Sequence, residues 1–212
     1  MSTARTFGID VSFWQGMIDW NVLKTSGVKF SFAKATDMQD RHDPTKTFKD
    51  PTFPNNYAGA KSIGALSGAF HFFREGYAGK DQADFFLAYY APKRGDLLPA
   101  IDVETEARHP AQFVADLHDC VTEVAKAIGG KSPVIYTQKS VWDACGNPTG
   151  FEHCPLWVVD PHHPDQPVLP SRWPTYAFWQ YQVNVVPPYH GIEKVDFNYF
   201  NGAVSAIGNL CY

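Results

Sequence analysis

The sequence predicts an α/β fold: one TIM-like β/α barrel of eight strands, with a reduced set of about five helices around it. Three observations carry this expectation. Eight short apolar runs recur along the chain, several of them continuous rather than alternating, as in strands covered on both faces. Helical stretches separate many of the earlier runs. No glycine-rich phosphate-binding turn follows the first run, which disfavours the main rival, an open doubly wound sheet.

In order, the strands are expected at residues 6–11, 29–35, 66–73, 97–104, 133–137, 156–160, 177–182 and 194–198. The clearest helix spans residues 110–128. There Phe113, Leu117, Val121, Val124 and Ile128 form one apolar stripe, and Gly129-Gly130 ends it. Residues 82–90 place Ala83, Phe86, Leu87 and Tyr90 on one face, and 19–25 and 54–62 are shorter candidates. Beyond Ser132 helices are scarce and prolines frequent. Without a repeat, linker or low-complexity tract, residues 1–212 read as one catalytic barrel domain.

The bulk numbers narrow the function classes. The chain has 212 residues, 44% of them hydrophobic, which is enough for one substantial core. Net charge is −4 with no basic cluster, so no nucleic-acid partner is expected. No apolar run approaches the roughly 20 residues of a membrane span. The N-terminal Met-Ser-Thr-Ala-Arg-Thr lacks the apolar stretch of a signal peptide. Six Trp, ten Tyr and sixteen Phe suit both sugar binding and the filling of a large barrel. Four cysteines allow three fully paired connectivities. A Cys145–Cys154 bridge around the Gly-Asn-Pro-Thr-Gly loop is left open, and Cys120 reads as a buried thiol on a helix face.

Acids at strand ends are the informative chemistry. Asp10 closes the first strand, Asp102 and Glu104 the fourth, Asp160 the sixth, and Asp196 sits in the last. In a barrel of parallel strands such ends meet on one face, where barrel enzymes place their sites. Asp102 and Glu104 are two apart, so they leave the same side of the strand, with backbones roughly 7 Å apart. Two close carboxylates hold one proton more tightly. Glycosidic cleavage uses such a pair: a protonated acid at the leaving oxygen and a negative group near the developing cation. Metal chemistry is not expected, because adjacent His162 and His163 point apart and no zinc spacing occurs. A Gly-x-Ser-x-Gly elbow is absent, so acyl transfer falls behind.

Taken in order, these residues resemble a known family. The motifs are Gly8-Ile-Asp-Val-Ser-Phe-Trp-Gln-Gly, Ile18-Asp-Trp, Phe32-Ala-Lys-Ala-Thr, Gly68-Ala-Phe-His-Phe and Leu98-Pro-Ala-Ile-Asp-Val-Glu. Val134-Ile-Tyr-Thr, Leu156-Trp-Val, Trp179-Gln-Tyr, Val195-Asp-Phe-Asn and Phe200-Asn-Gly follow. The ordered set resembles the family 25 glycoside hydrolases, the Chalaropsis-type lysozymes. The resemblance implies a barrel with few helices that hydrolyses the β-1,4 bond between N-acetylmuramic acid and N-acetylglucosamine, without a metal or other cofactor. Carried over by position, it implies Glu104 as general acid, Asp102 as its acidic neighbour, and Asp10 and Asp196 as two further site acids. Tyr136, Trp179 and Gln180 are implied to line the groove, with Lys34 and Phe70 as further substrate-binding positions. Peptidoglycan is the expected partner, and the chain is expected to be a monomer that acts outside the cell or is delivered to the cell wall. The chain departs from the family pattern at Asp37-Met38, where Glu-Gly is usual, at Phe70, where Tyr is usual, and at Val159-Asp160-Pro161. Two other readings stay open: a non-catalytic carbohydrate-binding barrel and a chitinase-like glycosidase. For the muramidase reading, Asp102 either polarises the substrate acetamido group or, with Asp10 as an alternative, serves an inverting water.

Overall fold

Strand-length apolar runs need partners on both edges, and here they find them by closing on themselves. The computed structural model describes residues 4–40, 42–43, 45–105, 107–188 and 191–212. The first three residues, part of the N-terminal segment in which no signal peptide was expected, lie outside them. Among the described residues, the barrel strands are β1 (Thr6–Val11), β2 (Phe30–Asp37), β4 (Leu66–Phe72), β5 (Ala100–Val103), β6 (Val134–Thr137), β7 (Leu156–Val159), β8 (Phe178–Val185) and β9 (Val195–Phe200). A two-residue strand, β3 (Phe48–Lys49), pairs on the outer end of β2. The order β1-β9-β8-β7-β6-β5-β4-β2 is closed by parallel pairing of β1 with β2.

One expectation is corrected. The barrel is not wholly parallel, because β9 runs antiparallel to both β8 and β1. The connection from β8 to β9 is a hairpin rather than a crossover, and a hairpin reverses direction. The start of β9, not its end, therefore lies at the barrel mouth.

Five α-helices occur among the described residues: α1 (Trp20–Leu23), α2 (Phe53–Ser62), α3 (Gly79–Tyr89), α4 (Pro110–Ala127) and α5 (Lys139–Ala144). The stripe of α4 is buried as its spacing predicts, with Phe113, Leu117, Cys120, Val121 and Val124 turned inward. Helix α3 lies so close to α4 that a Cβ on Gly79 would sit 1.7 Å from the Asp116 carbonyl oxygen. Helix α5 was not expected from the sequence.

Two apolar cores result. One fills the layer between sheet and helices, and includes Ile9, Phe73, Phe86, Leu117, Trp142 and Trp179. The other fills the barrel interior, where Phe30, Phe32, Phe70, Tyr136, Trp157 and Phe178 pack on one another. Phe32 stacks on Trp157 with ring centroids 4.6 Å apart. Gly8 and Gly68 face these rings, and a side chain at either would collide with Phe30 or Phe32. The interior is thus a packed floor, and only its upper end is open. No disulfide joins the four cysteines: Cys120, Cys145 and Cys154 are buried thiols and Cys211 is half-buried.

Candidate active site

The upper end of the barrel holds a cleft of about 480 Å³, with Asp10, Asp102, Glu104 and Asp196 in its lining. Strand geometry brings them there. Asp10 is the penultimate residue of β1 and pairs directly with Asp196 near the start of β9. Asp102 sits in β5 beside Phe72 of β4 and Tyr136 of β6. Glu104 follows β5 and is exposed at the edge of the cleft.

The four acids have different surroundings. Asp10 Oδ2 accepts hydrogen bonds from Gln180 Nε2 at 2.8 Å and Asn198 Nδ2 at 2.6 Å. Burial, reinforced by the Asp196 charge, pushes its pKa well up, against the pull of these two amides. Asp196 Oδ1 accepts from the Asn184 backbone N–H at 2.6 Å, and burial raises its pKa. Asp102 is nearly fully buried, and its Oδ1 has no hydrogen-bond partner among the described residues. Burial, then the neighbouring Glu104 charge, raises its pKa well above the ordinary carboxylate range. Glu104 is also raised, chiefly by desolvation against the cleft wall, while the Tyr136 hydroxyl and Lys34 oppose the shift.

Beneath the acids runs a buried polar chain. Trp157 Nε1 donates to Asn198 Oδ1 at 2.7 Å, and Asn198 and Gln180 both donate to Asp10. Tyr136 Oη donates to Gln180 Oε1 at 3.0 Å. Each amide is thereby held with its donor toward the carboxylate. A fixed donor set of this kind orients a carboxylate before any substrate arrives.

Of the other residues singled out by sequence, Tyr136, Phe70 and Lys34 line the cleft. Gln180 sits one layer down and acts on Asp10 and Tyr136. Trp179 points away from the cleft: it is buried among the outer core residues, and its indole N–H donates to the Asp160 carbonyl at 2.9 Å. Asp160 is likewise turned into its own loop, where its carboxylate accepts from the backbone of His162 and Val168 and contacts His163 Nδ1. Sequence reasoning passed over Trp14, Phe72, Trp157, Asn184 and Lys194, which also line the cleft. Strand alternation points to Trp157, because Leu156 and Val158 face the helices. Trp14 is fixed on a short turn capped by Ser12, and Asp50 Oδ2 accepts the Phe13 N–H at 2.8 Å. No three His, Cys, Asp or Glu side chains gather as metal ligands among the described residues. No helix among them is long and apolar enough to cross a membrane.

Chemically, the cleft offers one exposed carboxyl held above its ordinary pKa and a buried carboxyl with an oxygen unpartnered among the described residues, over an aromatic floor. Comparison with known proteins agrees with this chemistry. Residues 9–188 match the sequence profile of the glycosyl hydrolases family 25. The chain is 31% identical to Lysozyme M1 of Streptomyces globisporus, covering 97% of this chain and 71% of that protein. It is 28% identical to the N,O-diacetylmuramidase of Chalaropsis sp, over 82% of this chain and 86% of that one. Its fold superposes on the bacterial lysozyme from Streptomyces coelicolor with a TM-score of 0.85, at 30% identity, covering 99% of this chain and 98% of that one. With the profile spanning most of the barrel and the acids gathered at its mouth, the chain belongs to the glycosyl hydrolases family 25.

Proposed function

We propose that this glycoside hydrolase is a lysozyme that cuts the β-1,4 bond between N-acetylmuramic acid and N-acetylglucosamine in peptidoglycan. Glu104 is the general acid: exposed at the cleft edge and with a raised pKa, it reaches the leaving oxygen while still carrying a proton. Asp102 polarises the 2-acetamido group, so that the acetamido oxygen attacks the anomeric carbon as the leaving bond breaks. The observation that carries this assignment is that Asp102 lines the cleft while its buried Oδ1 has no hydrogen-bond partner among the described residues. A buried acceptor without a donor is costly unless a ligand supplies one, and the acetamido N–H does. Asp196, the less strongly shifted of the pair, supplies negative potential beneath the developing cation, with Asp10 held in place by Gln180 and Asn198. A second route, inversion with Asp102 or Asp10 as base for a water, is separated from the first by the anomer of the initial product.

The rival of a non-catalytic sugar-binding barrel gives no use to four mutually repelling carboxylates. The proposal takes the enzyme to act as a monomer. The substrate lies in the cell wall, so the enzyme acts outside the cytoplasm or is delivered there. The deciding experiment measures the clearing of purified walls and the mass of the released fragments. Glu104→Gln is expected to lower the rate by at least ~100-fold. Undiminished clearing by the folded variant removes Glu104 from its role, and binding without any clearing by the parent chain supports the rival.

A further inference from the structure

Beside the cleft lies an alcove of about 210 Å³ that shares Trp14, Lys34 and Phe72 with it. Its wall carries two cations and one carboxylate. Arg74 Nε and Nη2 donate to Asp37 Oδ1 and Oδ2 at 2.9 and 3.0 Å, and Lys34 Nζ donates to Oδ2 at 3.2 Å. Arg74 and Lys34 both lie over the Phe72 ring, 4.2 and 4.7 Å from its centroid. The arginine is rigidly mounted, because Gln82 accepts from its backbone N–H and donates to its carbonyl, each at 2.9 Å.

Formal charges along the groove single out this alcove. The cleft lining carries four acids and two lysines. A trough on the other side carries Asp19 and Glu193 against Lys194. Only in the alcove do cations outnumber acids among the described residues. Of its five N–H donors, Arg74 gives two to Asp37, leaving guanidinium donors for a second carboxylate. Lys34 lines both spaces, so a group projecting from a sugar in the cleft toward Lys34 enters the alcove.

We propose that the alcove is a carboxylate-binding subsite, which takes an acidic group on the peptide-bearing lactyl substituent of the sugar in the cleft. This rests on the muramidase reading, because the glycan backbone itself bears no carboxylate. The subsite would make the enzyme select for its substrate's charged side branch as well as for its sugar rings.

The test compares two substrates: soluble peptidoglycan strands with native stems, and the same strands with their carboxylates converted to methylamides. The readout is kcat/KM from reducing-end release, taken as the ratio of native to amidated substrate. Arg74→Gln is expected to shrink the parent ratio about five- to tenfold, through loss on the native substrate alone. Asp37→Asn, which removes the compensating charge, is expected to enlarge the ratio. An equal loss on both substrates in Arg74→Gln overturns the proposal and leaves Arg74 a structural clamp. If Arg74→Gln does not fold, Asp37→Asn decides, and an unchanged or smaller ratio overturns it. If the parent chain cleaves neither substrate, the muramidase reading falls and the subsite with it; cleavage of both with a ratio that neither variant moves removes the subsite alone.

Discussion

Asp10 and Asp196 are direct partners across the antiparallel pair of β1 and β9. Like charges directly opposite on neighbouring strands destabilise a sheet. Burial raises both pKa values, and the Asp196 charge adds to the rise at Asp10. An acid whose folded pKa is raised contributes stability that is fully present below its unfolded value and is lost as pH rises through the folded one. At neutral pH the pair is therefore a cost. Asp196→Asn keeps an acceptor for the Asn184 N–H and removes a charge. We expect it to stabilise the fold by about 1 kcal/mol at pH 7 and to have no effect near pH 3. Denaturant unfolding at the two pH values checks this, and destabilisation at pH 7 contradicts it.

Tyr136→Phe addresses the proposed acid, Glu104. The Tyr136 hydroxyl opposes the desolvation that lifts the Glu104 pKa. Without it the pKa of Glu104 rises further. A general acid is active while protonated, so activity falls as pH rises through its pKa. The high-pH limb of the kcat/KM profile should therefore move to higher pH in the variant. A limb that stays in place or moves down separates Tyr136 from Glu104.

His71 gives the acid side of the stability curve. It is fully buried in β4, with Thr36 Oγ1 at 2.8 Å from Nδ1 and Gln82 Oε1 at 3.2 Å from Nε2. Burial lowers its pKa from 6.5 to about 4. The unfolded chain then binds the proton first. Stability is present above pH 6.5 and is lost as pH falls toward 4, by about 3 kcal/mol in all. His71→Gln should show a shallower loss than the parent chain across that window, measured by unfolding at several pH values. Parallel curves would exclude the imidazole as the cause.

Packing of α3 on α4 makes Gly79 indispensable. A methyl group there overlaps the Asp116 carbonyl, so the helices must separate. Gly79→Ala should cost about 2 kcal/mol or more, seen as a lower denaturation midpoint. A neutral result would mean that the contact yields easily.

The sequence carried the strand positions well because both-sided burial leaves continuous apolar runs, as in β1, whose bounds agree at both ends. The stripe of α4 was equally plain. Strand direction is another matter: the residues of β9 alternate in the same way whichever way the strand runs, so local pattern carries no sign of its reversal. Helix α5 has only six residues, too few to show a stripe. The two-residue β3 exists only through its pairing with β2. At the site, acids at strand ends were legible, but their orientation was not. Trp179 and Gln180 are neighbours on one strand, and neighbours face opposite sides. Phe178 and Gln180 face the interior, so Trp179 faces the helices. Asp160 resembled a mouth acid until its loop folded back and supplied it with backbone donors.

The reversed last strand also bears on when the enzyme becomes dangerous to a wall. Asp10 precedes Asn198 by 188 residues, yet Asp10 meets Asp196 and Asn198 across one ladder. A nascent chain whose β9 is still inside the ribosome has an unclosed barrel, an Asp10 without its Asn198 donor, and a cleft lacking one wall. Hydrolytic competence therefore waits for β9 to emerge and pair, and pairing of such distant segments is slow. Any truncation that removes this strand should yield a chain that is harmless to peptidoglycan, however complete its Asp102 and Glu104.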